Sequence, residues 1–124
     1  MKIKKLNIGI RSVDQVMGDF AKAAKALERG EAVSKKEGLY FIDLRAFRRA
    51  LTDQRLAILR TIKERNPDSV YDLAKILQRD VKNVSADLSI LEELGLVELR
   101  KTKTQRGKVK PSVPYDSIHL DIAV

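Results

Sequence analysis

The 124-residue chain has no cysteine and no tryptophan, one histidine, three tyrosines, three phenylalanines and three prolines. Without cysteine there is no disulfide, no thiolate metal site and no cysteine nucleophile. His119 alone leaves no histidine-based metal site or proton relay within one chain. No apolar run approaches the ~18 residues that a membrane span requires. The opening "MKIKKLNIGIRS" alternates lysine and isoleucine with polar residues, unlike the continuous apolar core of a signal peptide. A cytoplasmic, nucleoid-associated location is the expectation. Neither a nucleophile–base pair nor a phosphate-cradling glycine loop is present, and Glu92-Glu93 reads as a solvated helix end. We therefore expect no enzyme, no cofactor and no metal.

What the chain does have is charge. It carries a formal net charge of +8 with a pI near 9.8, beside an apolar content of 44% that is enough for a packed core. Residues 1–42 hold nine Lys/Arg against five Asp/Glu, and residues 43–124 sixteen against twelve. The second part is uneven. "RKTKTQRGKVK", Arg100 to Lys110, has six basic residues and no acid. Such a concentration points to a polyanion, although charged loops are often simply solvated.

Periodicity divides the chain at residue 51. Leu6, Ile8 and Ile10 alternate with polar neighbours and predict a strand. Ser12 can cap a helix with an apolar face of Val13, Val16, Phe20, Ala23, Ala24 and Leu27, and Gly30 can stop it. "EGLYFID" predicts a short strand with Leu39 and Phe41 on one face. Asp43 can cap a short helix holding Leu44, Phe47 and Leu51, with Arg45, Arg48 and Arg49 outward. Phe20, Phe41 and Phe47 read as core. This β-α-β-α extension, 1–51, is expected to serve as a dimerisation or partner-binding element, or else to pack within one chain over the wing domain.

From Thr52, a good N-cap, Leu56, Leu59 and Ile62 line one side of a helix that ends at Asn66-Pro67. Ser69 caps a helix of about two turns with Leu73, Ala74 and Leu77 inward. Asp80 then caps a helix over 81–94, with Val81, Val84, Leu88 and Leu91 as its buried stripe and Gly95 as its stop. Asp87 lies toward the buried side, where a structural polar contact is expected. "LVELRK" predicts a strand, "TKTQRGKVKP" a turn-rich loop and "SVPYDSIHLDI" a returning strand, with His119 an ordinary strand residue.

Helix, short helix, tight turn, longer helix and a hairpin with a basic tip is the plan of a winged helix-turn-helix. "LTDQRLAIL", "SVYDLAKIL", "RDVKNVSADLSILEELGLVE" and "VPYDSI" resemble winged-helix transcriptional regulators of the MarR/ArsR type, within a prokaryotic subfamily of DNA-binding regulators. "GLYFIDLRAFRRAL" and the N-terminal strand and helix extend the resemblance over nearly the whole chain. "LEELGLV" is common to many winged helices; "RDVKNVSADLSIL" is more specific. The expected fold class is α+β, mainly helical: a winged helix-turn-helix at 52–124 with the N-terminal extension.

On that plan the helix 81–94 carries an unusual outer face. Lys82, Asn83, Ala86 and Ser89 lie opposite the apolar stripe, with Ser85 at the flank. A major groove about 12 Å wide admits one helix if its leading face is free of bulk. Asn can pair with adenine edges, Ser with several bases, Lys with guanine or phosphate, and Ala with a thymine methyl. The same residues would also suit an ordinary surface helix. Lys101, Lys103, Arg106, Lys108 and Lys110 flank Gly107 on the expected wing, where each neutralised phosphate releases counterions. The resemblance further implies phosphate contacts from Ser69 and Tyr71 at the start of the short helix.

The expected function is therefore a sequence-specific DNA-binding transcriptional regulator, a repressor acting by occlusion of a promoter. The partners would be double-stranded DNA and a second copy in a homodimer, spaced about one DNA turn, ~34 Å, apart. Two other readings stay open at this point. One is an antitoxin-like protein that binds a partner toxin and autoregulates its operon. The other is an architectural protein that coats DNA without sequence preference. The sequence names neither an operator nor an inducer.

Overall fold

The computed structural model describes residues 4–30, 38–101 and 108–124. It is a mixed α+β structure. In chain order the elements are β1 (Lys5–Ile10), α1 (Val13–Glu28), β2 (Leu39–Phe41), α2 (Leu44–Ala50), α3 (Asp53–Arg65), α4 (Val70–Leu77), α5 (Val81–Glu93), β3 (Glu98–Lys101), β4 (Val109–Ser112) and β5 (Ser117–Ile122).

Side-chain caps set where the helices start. The hydroxyl of Ser12 accepts from the Gln15 N–H while the Gln15 side chain accepts from the Ser12 N–H, a reciprocal box. Asp43, Thr52 and Ser69 each accept from the backbone N–H three residues on, and Asp80 accepts from that of Lys82. Each such cap is worth about 1 kcal/mol. The left-handed residues Asn66 and Gln78 terminate α3 and α4. The α4–α5 connection is thereby compressed to Gln78-Arg79-Asp80, and Gly95, at φ 78°, closes the turn after α5.

The core forms where the apolar sides of three helices meet. Ile58, Leu59 and Ile62 from α3, Leu73 and Ala74 from α4, and Val84, Leu88 and Leu91 from α5 are buried together with Leu96 and Val97. Ile58 is fully buried although the expected α3 stripe ran through Leu56, Leu59 and Ile62. Burying one such side chain stabilises the fold by about 1.5–3 kcal/mol. Ile8 of β1 belongs to the same cluster, with Leu6, Leu39, Phe41, Phe47 and Ile118 packed against it. The sheet thus rests on the helices, and Phe41 meets Phe47 edge-on at 5.7 Å.

Two expectations from the sequence are corrected here. The strand that returns beside β3 is β4, Val109–Ser112, within the stretch read as loop. The later segment, β5, leaves the hairpin and runs parallel to β1, giving a three-stranded sheet in the order β2-β1-β5 with both pairings parallel. The sheet therefore draws on residues from both sides of position 51. The Asp116 N–H donates to the Lys4 carbonyl, the Lys4 N–H to the Asp116 carboxylate, and the Ala123 N–H to the Ile10 carbonyl, extending the β1–β5 pairing at both ends. The period-2 pattern of Ile118, Leu120 and Ile122 correctly marks a strand, but alternation carries no information about its partner.

The second correction concerns α1, which buries none of its residues. Phe20, expected in the core, is 71% exposed. The reason lies in the sheet. In-register pairing puts Leu6, Ile8, Ile10, Leu39, Phe41, Ile118, Leu120 and Ile122 on one face. The helical core covers Leu6, Ile8, Leu39, Phe41 and Ile118, while Leu120 and Ile122 at the end of β5 are exposed. The opposite face presents Asn7, Gly9, His119, Asp121 and Tyr40, so it offers an apolar helix almost nothing. Gly9 is needed there because a Cβ at that position would come within 2.6 Å of the Tyr40 ring. Arg11 lies over the same ring at 5.2 Å and pairs with Asp19 of α1.

Candidate nucleic-acid interface

α5 is fixed from beneath by its apolar stripe and from the side by charge. Asp87, 17% exposed, takes Arg55 Nε at 3.2 Å on one carboxylate oxygen and Arg79 Nη2 at 2.9 Å on the other. Arg55 also donates from Nη1 to the carbonyls of Arg49 and Ala50, at 3.0 and 2.8 Å. One carboxylate therefore ties α5 to α3, to the α4–α5 turn and to the end of α2. The structural contact expected of Asp87 is present. The orientation of the outer α5 face is consequently set by these contacts together with its buried stripe.

On that outer face Lys82, Asn83, Ser85, Ala86 and Ser89 are all exposed. The sequence expectation that these five stand clear of the core holds residue by residue. Val81, assigned to the buried stripe, is instead 36% exposed at its margin. The five divide between two flanks. Ser85 and Ser89 line a groove of about 640 Å³ with Val81 and Leu88, facing Ser69, Tyr71 and Lys75 of α4 and Leu99, Lys108 and Val109 of the hairpin. Asn83, Lys82 and Ala86 lie outside that groove, around the helix toward the open side.

The groove brings Ser69, Tyr71, Ser85, Ser89 and Lys108 into one concavity although they are spread over some forty residues. Ser69 is buried, its hydroxyl oxygen accepting the Asp72 N–H as helix cap. Asp72 in turn accepts the Asp68 N–H, so a carboxylate already sits beside the start of α4. Tyr71 is 64% exposed, and the Lys75 ammonium sits 5.8 Å from its ring centre. Lys75 was not among the residues singled out from the sequence. Its signal was the i, i+4 spacing from Tyr71 on a short helix.

The basic hairpin forms the other wall. Lys101 is exposed at the end of β3, and Lys110 is half-buried on β4, directly across from Arg100. Arg100 forms an exposed pair with Glu98 at 3.3 Å. Lys103 and Arg106 lie outside the described residues. On a different surface Arg45, Arg48 and Arg49 gather with Leu44 around a shallow depression on α2. Among the described residues no cluster of three or more His, Asp or Glu side chains could hold a metal ion, and no helix is long and apolar enough to cross a membrane.

In chemical terms the interface has hydroxyls, one amide and short side chains on an exposed helix face, with ammonium groups on the element beside it. No curated protein and no solved structure matches the chain. Residues 50–120, which run from the end of α2 through the helices and hairpin into β5, match the family model HVO_A0114. That stretch spans more than half of the sequence, and the chain belongs to the HVO_A0114 family.

Proposed function

We propose that the chain is a sequence-specific DNA-binding transcriptional regulator of winged helix-turn-helix type. α5 enters the major groove, and the β3–β4 hairpin lies along the phosphate backbone as the wing. The observation that carries this reading is the outer face of α5. It presents Lys82, Asn83, Ser85, Ala86 and Ser89 to solvent while Val84, Leu88, Leu91 and the Asp87 clamp hold the helix rigid. A helix held this way can approach base edges closely without reorganising.

The division of labour follows from the chemistry. Asn83 and the two serines read hydrogen-bonding edges, and Ala86 leaves room for a thymine methyl. Lys101, Lys103, Arg106, Lys108 and Lys110 neutralise phosphates and fix register without carrying sequence information. Tyr71 and Lys75, on the far side of the groove, reach the backbone that flanks the contacted bases. Ser69 contributes as the cap that sets the α4 start, and the Asp72 carboxylate beside it turns phosphate away from that end. Occupation of a promoter by a pair of copies would block transcription, which makes the protein a repressor.

The test is binding to a duplex selected from a random pool, compared with unselected DNA across a salt series. A regulator of this kind prefers the selected duplex by about 10³-fold or more. Neutralising two wing lysines, Lys101→Gln with Lys108→Gln, lowers affinity for both duplexes and reduces the slope of log K against log salt by about 2. Equal affinity for both duplexes would replace this reading with architectural coating of DNA.

A further inference from the structure

The amphipathic pattern of α1 faces outward. At 100° per residue Val13, Val16, Met17, Phe20, Ala24 and Leu27 fall within a single stripe. In the protomer Val13 is 59% exposed, Val16 45%, Met17 61%, Phe20 71% and Leu27 66%. The residues of α1 that are half-covered are Gln15 and Ala26, on the other side, and Ala23 at the edge of the stripe. Together the stripe leaves on the order of 500 Å² of apolar surface in one patch, at the upper end of what a monomer exposes. It supplies most of the ~800 Å² per partner that a stable interface buries.

We propose that this stripe is the contact between two copies of the chain, with their α1 helices packed antiparallel about a two-fold axis near Phe20. The charges flanking the stripe select this occupant and this direction. The first half of α1 carries Asp14 and Asp19, and the second carries Lys22, Lys25 and, as its last residue, Glu28. Asp14 and Lys25 share one flank, 20° apart on the wheel, about three turns along the helix from each other. An axis near Phe20 exchanges the two ends, so Asp14 of each copy meets Lys25 of the other, twice per dimer. A parallel two-fold pairing would instead lay this flank beside the partner's opposite one, with Asp14 at the end that carries Asp19 and Lys25 at the end that carries Lys22. The patch is thus complementary to itself, as a two-fold contact requires. This contact involves α1 alone and is independent of the DNA reading.

Sedimentation equilibrium of the full chain without DNA tests it. The wild type associates to a dimer, and Phe20→Glu weakens the association on the order of 30-fold or more. The variant keeps its far-UV circular dichroism because Phe20 is exposed in the protomer. Asp14→Lys and Lys25→Asp each weaken the dimer on the order of tenfold, and the double exchange restores it. These exposed charge variants also carry the test if Phe20→Glu fails to fold. A wild type that stays monomeric at every concentration overturns the proposal and leaves the stripe to a different protein. A dimer indifferent to Phe20→Glu, or a double exchange weaker than either single variant, overturns the antiparallel contact.

Discussion

Replacing Asp87 is the most informative perturbation of the protomer, because one carboxylate holds two guanidinium groups. Both of its oxygens are engaged, and the side chains of Asp87, Arg55 and Arg79 are only 17%, 16% and 24% exposed. Arg79 Nη1 is already a buried donor without a partner, so the site has no slack on that side. Removing one member of a fully buried pair costs about 3–5 kcal/mol, chiefly by stranding the opposite charge. Here the residual exposure lets water reach the arginines, and Arg55 keeps its two carbonyl acceptors. The expected loss for Asp87→Asn is therefore about 2–4 kcal/mol, a large part of a typical stability of ~5–15 kcal/mol. Urea unfolding should show the midpoint falling by about 1–2 M at an unchanged slope. A variant within about 0.5 kcal/mol of wild type would mean the pairs behave as solvated surface contacts, and the rigid mounting of α5 would be refuted.

Two further expectations concern pH. The Tyr115 hydroxyl donates to the Leu96 carbonyl at 2.7 Å, and burial pushes its pKa up to about 12 from 10.0. Because the folded value is the higher one, the stability it contributes is complete below pH 10 and is lost as pH rises toward 12. Tyr115→Phe should cost about 1 kcal/mol at neutral pH and flatten the alkaline limb of a denaturation profile. An alkaline limb identical in the two proteins would contradict this. Asp116 is held below its ordinary 3.8 by the hydrogen bond from Lys63, then by the Lys4 backbone N–H and the Lys63 charge. Its contribution is present above that ordinary value and is lost as pH falls through the lower folded one. Asp116→Asn should therefore flatten the acid limb, and an acid limb as steep as that of wild type would argue against the link.

The local chemistry of this fold was readable and its long-range partners were not. Ser12, Asp43, Thr52, Ser69 and Asp80 cap the helices the sequence assigns to them, because a cap acts within three residues. The stripe Val84, Leu88, Leu91 and the inward contact of Asp87 followed from helical period alone. The strand Ser117–Ile122 was legible as a strand, yet its pairing with residues more than a hundred positions earlier leaves no local trace. Likewise the period of α1 identifies an apolar side without saying whether its own sheet can cover it. For the interface, the exposed face of α5 was visible in the sequence. The concavity that gathers Ser85, Ser89, Tyr71 and Lys75 depends on how the helices and hairpin pack, which the sequence pattern does not state.

The central claim is that α5 reads bases. Its most direct test is genome-wide DNA occupancy of the wild type beside an Asn83→Ala/Ser85→Ala variant. Both positions are exposed on α5, so the variant should fold normally and keep its wing. A base-reading α5 gives sharp occupancy at a shared two-fold motif for the wild type, lost in the variant while weak general binding persists. Broad occupancy that the substitutions leave unchanged, or no occupancy by either protein, would contradict it.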